Sequence, residues 1–144
     1  MKTIKKIYIA SPFFNDEETE ALSRVENLLR KRGFEVFSPR EHDDPTETRG
    51  TSPWSKNVFR IDQEGIHQAD CVVLLYWGNY SDSGTAWECG YAFATGTPVV
   101  VVHLGTSSNL MIHEGCHTNL ESIEELASYD FEKMPVKSYR GKMY

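Results

Sequence analysis

Cys71-Val72-Val73-Leu74-Leu75-Tyr76-Trp77 is an apolar run broken by no charged or amide side chain. A strand with one wet face alternates polar and apolar residues, whereas a strand apolar at every position is buried on both faces, as in a parallel sheet covered by helices. Working outward, Val58, Ile61, Gly65 and Ile66 recur at helical spacing and predict a helix ending near Ala69. Downstream, the loop Gly78 to Gly84 leads to a helix reaching about Thr95 and then to a strand from Pro98 to His103. Upstream, Ile4 to Ala10 reads as a buried strand closed by Ser11-Pro12. Leu22, Val25, Leu28 and Leu29 mark a helix over residues 16–32, stopped by Gly33 after Lys31-Arg32, and Phe34 to Phe37 is a short second strand. The polar stretch from Ser38 to Pro53, with Pro39 and Pro45 inside it, has no period and predicts a loop over a site. A last helix is expected near Asn119 to Ser128, followed by an aperiodic tail from Tyr129 to Tyr144.

Strands alternating with helices imply an α/β fold: one domain over residues 1–144, with a doubly wound, flavodoxin-like or Rossmann-like parallel sheet. In such sheets ligands bind beyond the carboxyl ends of the strands, where strand order reverses. Ala10 to Asp16 and Gly78 to Glu88 should arrive there. A net charge of −6 and a pI near 5.3 disfavour a polynucleotide partner. No apolar run is long enough to span a bilayer and no signal-peptide core follows the N-terminal lysines, so no membrane association is expected. Cys71, Cys89 and Cys116 form no CxxC pair and read as reduced thiols in a cytoplasm. Neither a GxxxxGK[ST] loop nor a GxGxxG after the first strand occurs, and no cofactor is expected.

Between Ser83 and Ile112 the only Asp, Glu, Lys or Arg is Glu88. It stands among Ala86, Trp87, Cys89, Tyr91, Ala92 and Phe93, where a charge carries a desolvation cost unless something compensates it. Thr85-Ala-Trp-Glu88 also has the spacing of a capping box, in which Glu88 merely bonds the Thr85 backbone. The position of this helix at the ligand edge favours a nucleophile, kept ionised by the helix N-terminus. Asp82, six residues earlier, is either a turn former or a second acid for a hydroxyl-rich ligand; Asp70 either ends a helix or folds back to the site. Tyr8 is either a core aromatic or the hydroxyl that holds Glu88. Phe13 and Phe14 are read as stacking on a flat heterocycle rather than as staple contacts.

His113-Glu114-Gly115-Cys116-His117 matches the H-E-x-x-H pattern of zinc proteases, which works only on a helix and with a third ligand. Gly115 at its centre and the lack of a third ligand favour a loop with two solvated histidines, and no metal site is expected.

Taken together, Ile7-Tyr8-Ile9-Ala10 leading into Pro12-Phe13-Phe14, Ala69-Asp70, the segment Asp82-Ser-Gly-Thr-Ala-Trp-Glu88-Cys-Gly-Tyr-Ala92, Asn109-Leu-Met111 and a C-terminal Tyr144 resemble the nucleoside 2-deoxyribosyltransferase family. The resemblance implies a five-stranded parallel sheet, Glu88 as nucleophile, Tyr8 positioning it, Asp70 at the base and Asp82 with Gly84 at the sugar. It further implies that Asn109, Met111 and the Tyr144 carboxylate complete a neighbouring subunit's pocket in a homo-oligomer, as in the family's hexamers built from dimers. The expected substrates are deoxyribonucleosides and free nucleobases, exchanged with retention through a deoxyribosyl-glutamate. Two rivals remain: a nucleoside or 5′-monophosphate N-glycosidase, with Arg49 and Arg60 as phosphate donors, and a non-catalytic nucleotide-binding module.

Overall fold

The computed structural model describes residues 2–78 and 82–143. The first strand, β1 (Lys6–Ala10), leads into α1 (Asp16–Lys31). Asn15 caps this helix, accepting the Glu18 N–H at 2.8 Å, while the Glu18 carboxylate accepts the Phe14 N–H at 2.9 Å. Gly33, at φ 94°, turns the chain into β2 (Glu35–Phe37). After one 3-10 turn at Pro39–Glu41 comes α2 (Ser52–Gln68), which starts earlier than the apolar period alone indicates. Ser52 and Pro53 enter its first turn because the missing proline N–H has no intrahelical partner to lose there. Then follow β3 (Cys71–Tyr76), α3 (Ser83–Ala94), β4 (Val99–His103), β5 (Ser107–Ser108) and α4 (Leu110–Glu114). The chain finishes with β6 (Thr118–Leu120), α5 (Ile123–Ala127) and β7 (Lys142–Met143).

Two expectations are corrected. The helix expected from Asn119 begins only at Ile123, and Thr118–Leu120 is instead the fifth strand, parallel to β4 with Val101 opposite Asn119. Three residues are too few to display a period, so pairing with a sheet edge decides their state. The tail contributes Tyr129, Phe131 and Met134 to the core, at 5%, 5% and 3% exposure.

The five main strands are all parallel, in the order β2-β1-β3-β4-β6, giving the doubly wound sheet expected. Period-two alternation divides the core. Ile7, Ile9, Val73 and Leu75 pack with α1 and α5, while Tyr8, Ala10, Val72 and Leu74 face α2 and α3. Each fully buried aliphatic side chain contributes roughly 1.5–3 kcal/mol, which is why two closed faces need no extra staple. Strand order reverses between β1 and β3, so their carboxyl ends diverge into a crevice beneath α2 and the start of α3. Among the described residues no helix is long and apolar enough to cross a membrane.

Candidate active site

Glu88 projects from the second turn of α3 at this crevice, and its Oε2 accepts a hydrogen bond from the hydroxyl of Tyr8 on β1. The helix is capped by Asp82, whose Oδ2 takes the Thr85 N–H and hydroxyl, each at 3.1 Å. The capping role open to Glu88 in the sequence is therefore filled by another residue. Burial first, then the charges of Asp62 and Asp82, raise the Glu88 carboxyl to about 8 against the opposing Tyr8 hydrogen bond. Tyr8 is fully buried; burial and the neighbouring Glu88 charge hold its hydroxyl far above the ordinary tyrosine range, so it is a permanent donor. Oε1 of Glu88 has no hydrogen-bond partner among the described residues.

In front of Glu88 lies a cleft of about 390 Å³. Beside Asp43 and Asp82 it holds Asp62 on α2, whose Oδ1 is buried with no hydrogen-bond partner among the described residues. Burial, followed by the charge of Asp43, raises the Asp62 carboxyl to about 6. Aromatic walls rise from three segments: Phe13 and Phe14, stacked on each other at 6.1 Å; Trp54, whose indole N–H donates to Asp43 at 2.8 Å; and Phe59 edge-on to Trp87 at 5.2 Å. Flat apolar walls with a few converging carboxyls suit a sugar joined to a heterocycle.

The structure brings Tyr8, Phe13, Phe14, Asp82, Gly84 and Glu88 together at this cleft. It does not bring Asp70. That carboxylate sits at the opposite end of β3, accepting the Lys5 and Lys6 N–H groups at 2.9 Å each and the Lys2 ammonium at 2.9 Å. Asp62 on α2 reaches the cleft instead. Val58, Asp62 and Ile66 are four residues apart, so an acid on the buried stripe of α2 was a readable signal. Asn109 caps α4 and Met111 is 72% exposed; neither lines the cleft, and Tyr144 lies outside the described residues. Arg49 lines the cleft above Trp54, whereas Arg60 does not and pairs with Glu64 at 3.6 Å. The picture of two solvated histidines is corrected as well. His113 is 4% exposed on α4 and meets the Ser108 hydroxyl through Nδ1, while His117 Nε2 meets the Met134 carbonyl.

The description "Nucleoside 2-deoxyribosyltransferase" belongs to the family whose model matches residues 7–122. The nucleoside deoxyribosyltransferase of Limosilactobacillus fermentum is 27% identical over 132 residues, covering 81% of this chain and 79% of the relative. That of Lactobacillus johnsonii is 30% identical over 106 residues, covering 71% and 70%. Among solved structures, the 2-deoxyribosyltransferase of the psychrotolerant Bacillus psychrosaccharolyticus is 40% identical, with a TM-score of 0.88 over 94% of this chain and 99% of the other. The family match, which spans Tyr8, Asp62 and Glu88 at the switch point of the sheet, means that this chain belongs to the nucleoside 2-deoxyribosyltransferase family of pentosyltransferases.

Proposed function

We propose that the protein moves 2-deoxyribose from a deoxyribonucleoside to a second nucleobase through a covalent bond to Glu88. The observation that carries this reading is the Glu88 carboxylate, one oxygen fixed by Tyr8 and the other open to a cleft that also holds Asp62. Glu88 Oε1 attacks C1′ from the face opposite the base, through an oxocarbenium-like transition state. The C1′–N bond electrons pass to the base, and protonated Asp62 gives its proton to the departing ring system. A second base then enters, its nitrogen attacks C1′, its proton goes to Asp62, and Glu88 leaves as carboxylate. Two inversions retain the β configuration. Asp82 Oδ1, which accepts no hydrogen bond from the described residues, is the acceptor for a sugar hydroxyl.

The reading extends to a dimer-based oligomer with shared sites and to deoxyribonucleoside salvage in the cytoplasm. Exposed Leu110 and Met111 on α4 support the first, and three free thiols the second. Thymidine with adenine should yield thymine and deoxyadenosine. Without an acceptor, the peptide containing Glu88 should gain one deoxyribosyl unit. A Glu88→Gln protein exchanging bases at near wild-type rate would overturn the covalent route.

A further inference from the structure

The flank of the cleft opposite Asp82 rests on a buried ion pair that the chemistry above leaves unused. Glu26 on α1 is 3% exposed. Its Oε2 accepts the Ser38 hydroxyl at 2.5 Å and Arg40 Nε at 2.9 Å, and its Oε1 accepts Arg40 Nη2. Burial pushes the Glu26 carboxyl up, but the Arg40 and Ser38 hydrogen bonds outweigh it and hold the group below its usual range. Both partners are thus charged at any working pH. One residue on, Glu41 receives Arg30 at 2.5 and 3.2 Å, so the turn Pro39–Glu41 is clamped to α1 twice.

The guanidinium is a rigid fork with donors only. Two of its nitrogens are spent on Glu26, Arg40 lines the cleft, and Nη1 donates to none of the described residues. The sheet order fixes on which side of Glu88 the Arg40 loop stands. The loop carrying Arg40 leaves β2 on one side of β1, and Asp82 follows β3 on the other, with Tyr8 and Glu88 between. A sugar held over Glu88 with its hydroxyl at Asp82 directs its base toward Arg40.

We propose that Arg40 Nη1 donates to an exocyclic carbonyl of the nucleobase, with Glu26 as the positioning residue, so that 6-oxopurines are preferred over 6-aminopurines as acceptors. This inference rests on the transfer reaction proposed above. A carbonyl oxygen accepts from the fork, whereas an amino group in the same place offers a second donor and leaves a desolvated polar group unpaired.

The test is a competition: thymidine as donor, equimolar hypoxanthine and adenine as acceptors, and initial formation of deoxyinosine against deoxyadenosine. Both acceptors draw on the same deoxyribosyl-enzyme, so their product ratio does not depend on how much protein folds. Wild type should favour deoxyinosine roughly tenfold. Arg40→Met should cut the ratio to about a fifth or less by raising KM for hypoxanthine and not for adenine. Glu26→Gln should shift it the same way by a smaller factor. Should Arg40→Met fail to fold, Arg40→Lys serves, because a single ammonium cannot span both Glu26 oxygens and also reach the base. An unchanged ratio, both KM values rising together, or a wild type that favours adenine would each overturn the inference while leaving transfer intact. Absence of any new nucleoside from wild type would instead refute transfer itself, and the inference with it.

Discussion

Glu88 and Asp62 titrate as a pair whose steps lie near about 6 and about 8, so between those values the site holds one proton. In the proposed reaction the productive form has that proton on Asp62 and Glu88 ionised, the less populated of the two singly protonated forms because burial holds Glu88 higher than Asp62. Below the lower step Glu88 is protonated and cannot attack; above the upper step Asp62 has no proton to give. A plot of kcat/KM for thymidine against pH should therefore be bell-shaped, with limbs near those two values, and a flat profile from pH 5 to 9 would contradict the pairing. Asp62→Asn should remove the falling limb and lower the rate by roughly 100- to 10,000-fold. Glu88→Gln should abolish transfer and yet stabilise the fold. The folded pKa lies above the ordinary value of 4.5, so wild type loses stability as pH rises from there through about 8, and the uncharged variant does not. Denaturant unfolding at pH 9 should show a gain on the order of 1–3 kcal/mol that disappears near pH 4. Asp70 behaves differently. Although burial raises its carboxyl, the Lys6 N–H, the Lys2 ammonium and the Lys5 N–H hold it below its usual range, and they tie the N-terminal segment to β3. Asp70→Asn should cost about 1–2 kcal/mol of stability while kcat stays near wild type.

At the scale of elements, α2 controls the site through one close approach. A Cβ added at Gly65 would stand 2.9 Å from the Phe37 ring. Phe37 is stacked on Tyr8 at 5.2 Å and on His42 at 4.0 Å. Gly65 thus lets α2 lie against β2 and press Phe37 onto the tyrosine that holds Glu88. Gly65→Ala should cost about 1–3 kcal/mol through overpacking and should lower kcat more than it raises KM, because the displaced ring moves Tyr8 rather than the cleft wall. Equal stability and unchanged kcat would show that Phe37 has room to move. The loop between β2 and α2 is likewise held: Asn57 donates to Asp44 at 2.6 Å and Trp54 to Asp43 at 2.8 Å, so the stretch without sequence period is a fixed wall.

For the whole molecule, the reversal of strand order places loops from β1, β2 and β3 around one opening, while α4 and β7 lie away from it. Asn109 and Met111 fit a shared site only if a second copy brings them to a cleft they do not line in their own chain. Mixing Glu88→Gln protein with a variant lacking residues 142–144, each inactive alone, should then restore about a quarter of wild-type activity, since random dimers pair one intact cleft with one intact tail. Size measurement of the mixture confirms the assembly, and an active truncated monomer would exclude sharing.

Several of these features are legible without coordinates. Unbroken apolarity from Cys71 to Trp77 settles a sheet buried on both faces, because water cannot reach either side of such a strand. The lone charge of Glu88 within an apolar helix singles out a candidate site, because an uncompensated charge is not tolerated there. Partnership was decided only by the tertiary structure. Asp70 and Asp62 are both acids near a strand, and what separates them is which end of the sheet each reaches: the amino end, where the Lys5 and Lys6 N–H groups meet Asp70, or the carboxyl end, where one oxygen of Asp62 is buried with no partner among the described residues. Thr118–Leu120 became a strand through an edge that β4 left open, and although Glu26, four after Leu22 and three before Leu29, falls on the buried stripe of α1, only the fold brings it Arg40 as a partner. Periodicity records which side of an element faces the core. Which residue meets which across the core depends on packing between segments far apart in the chain, and local sequence does not carry that information.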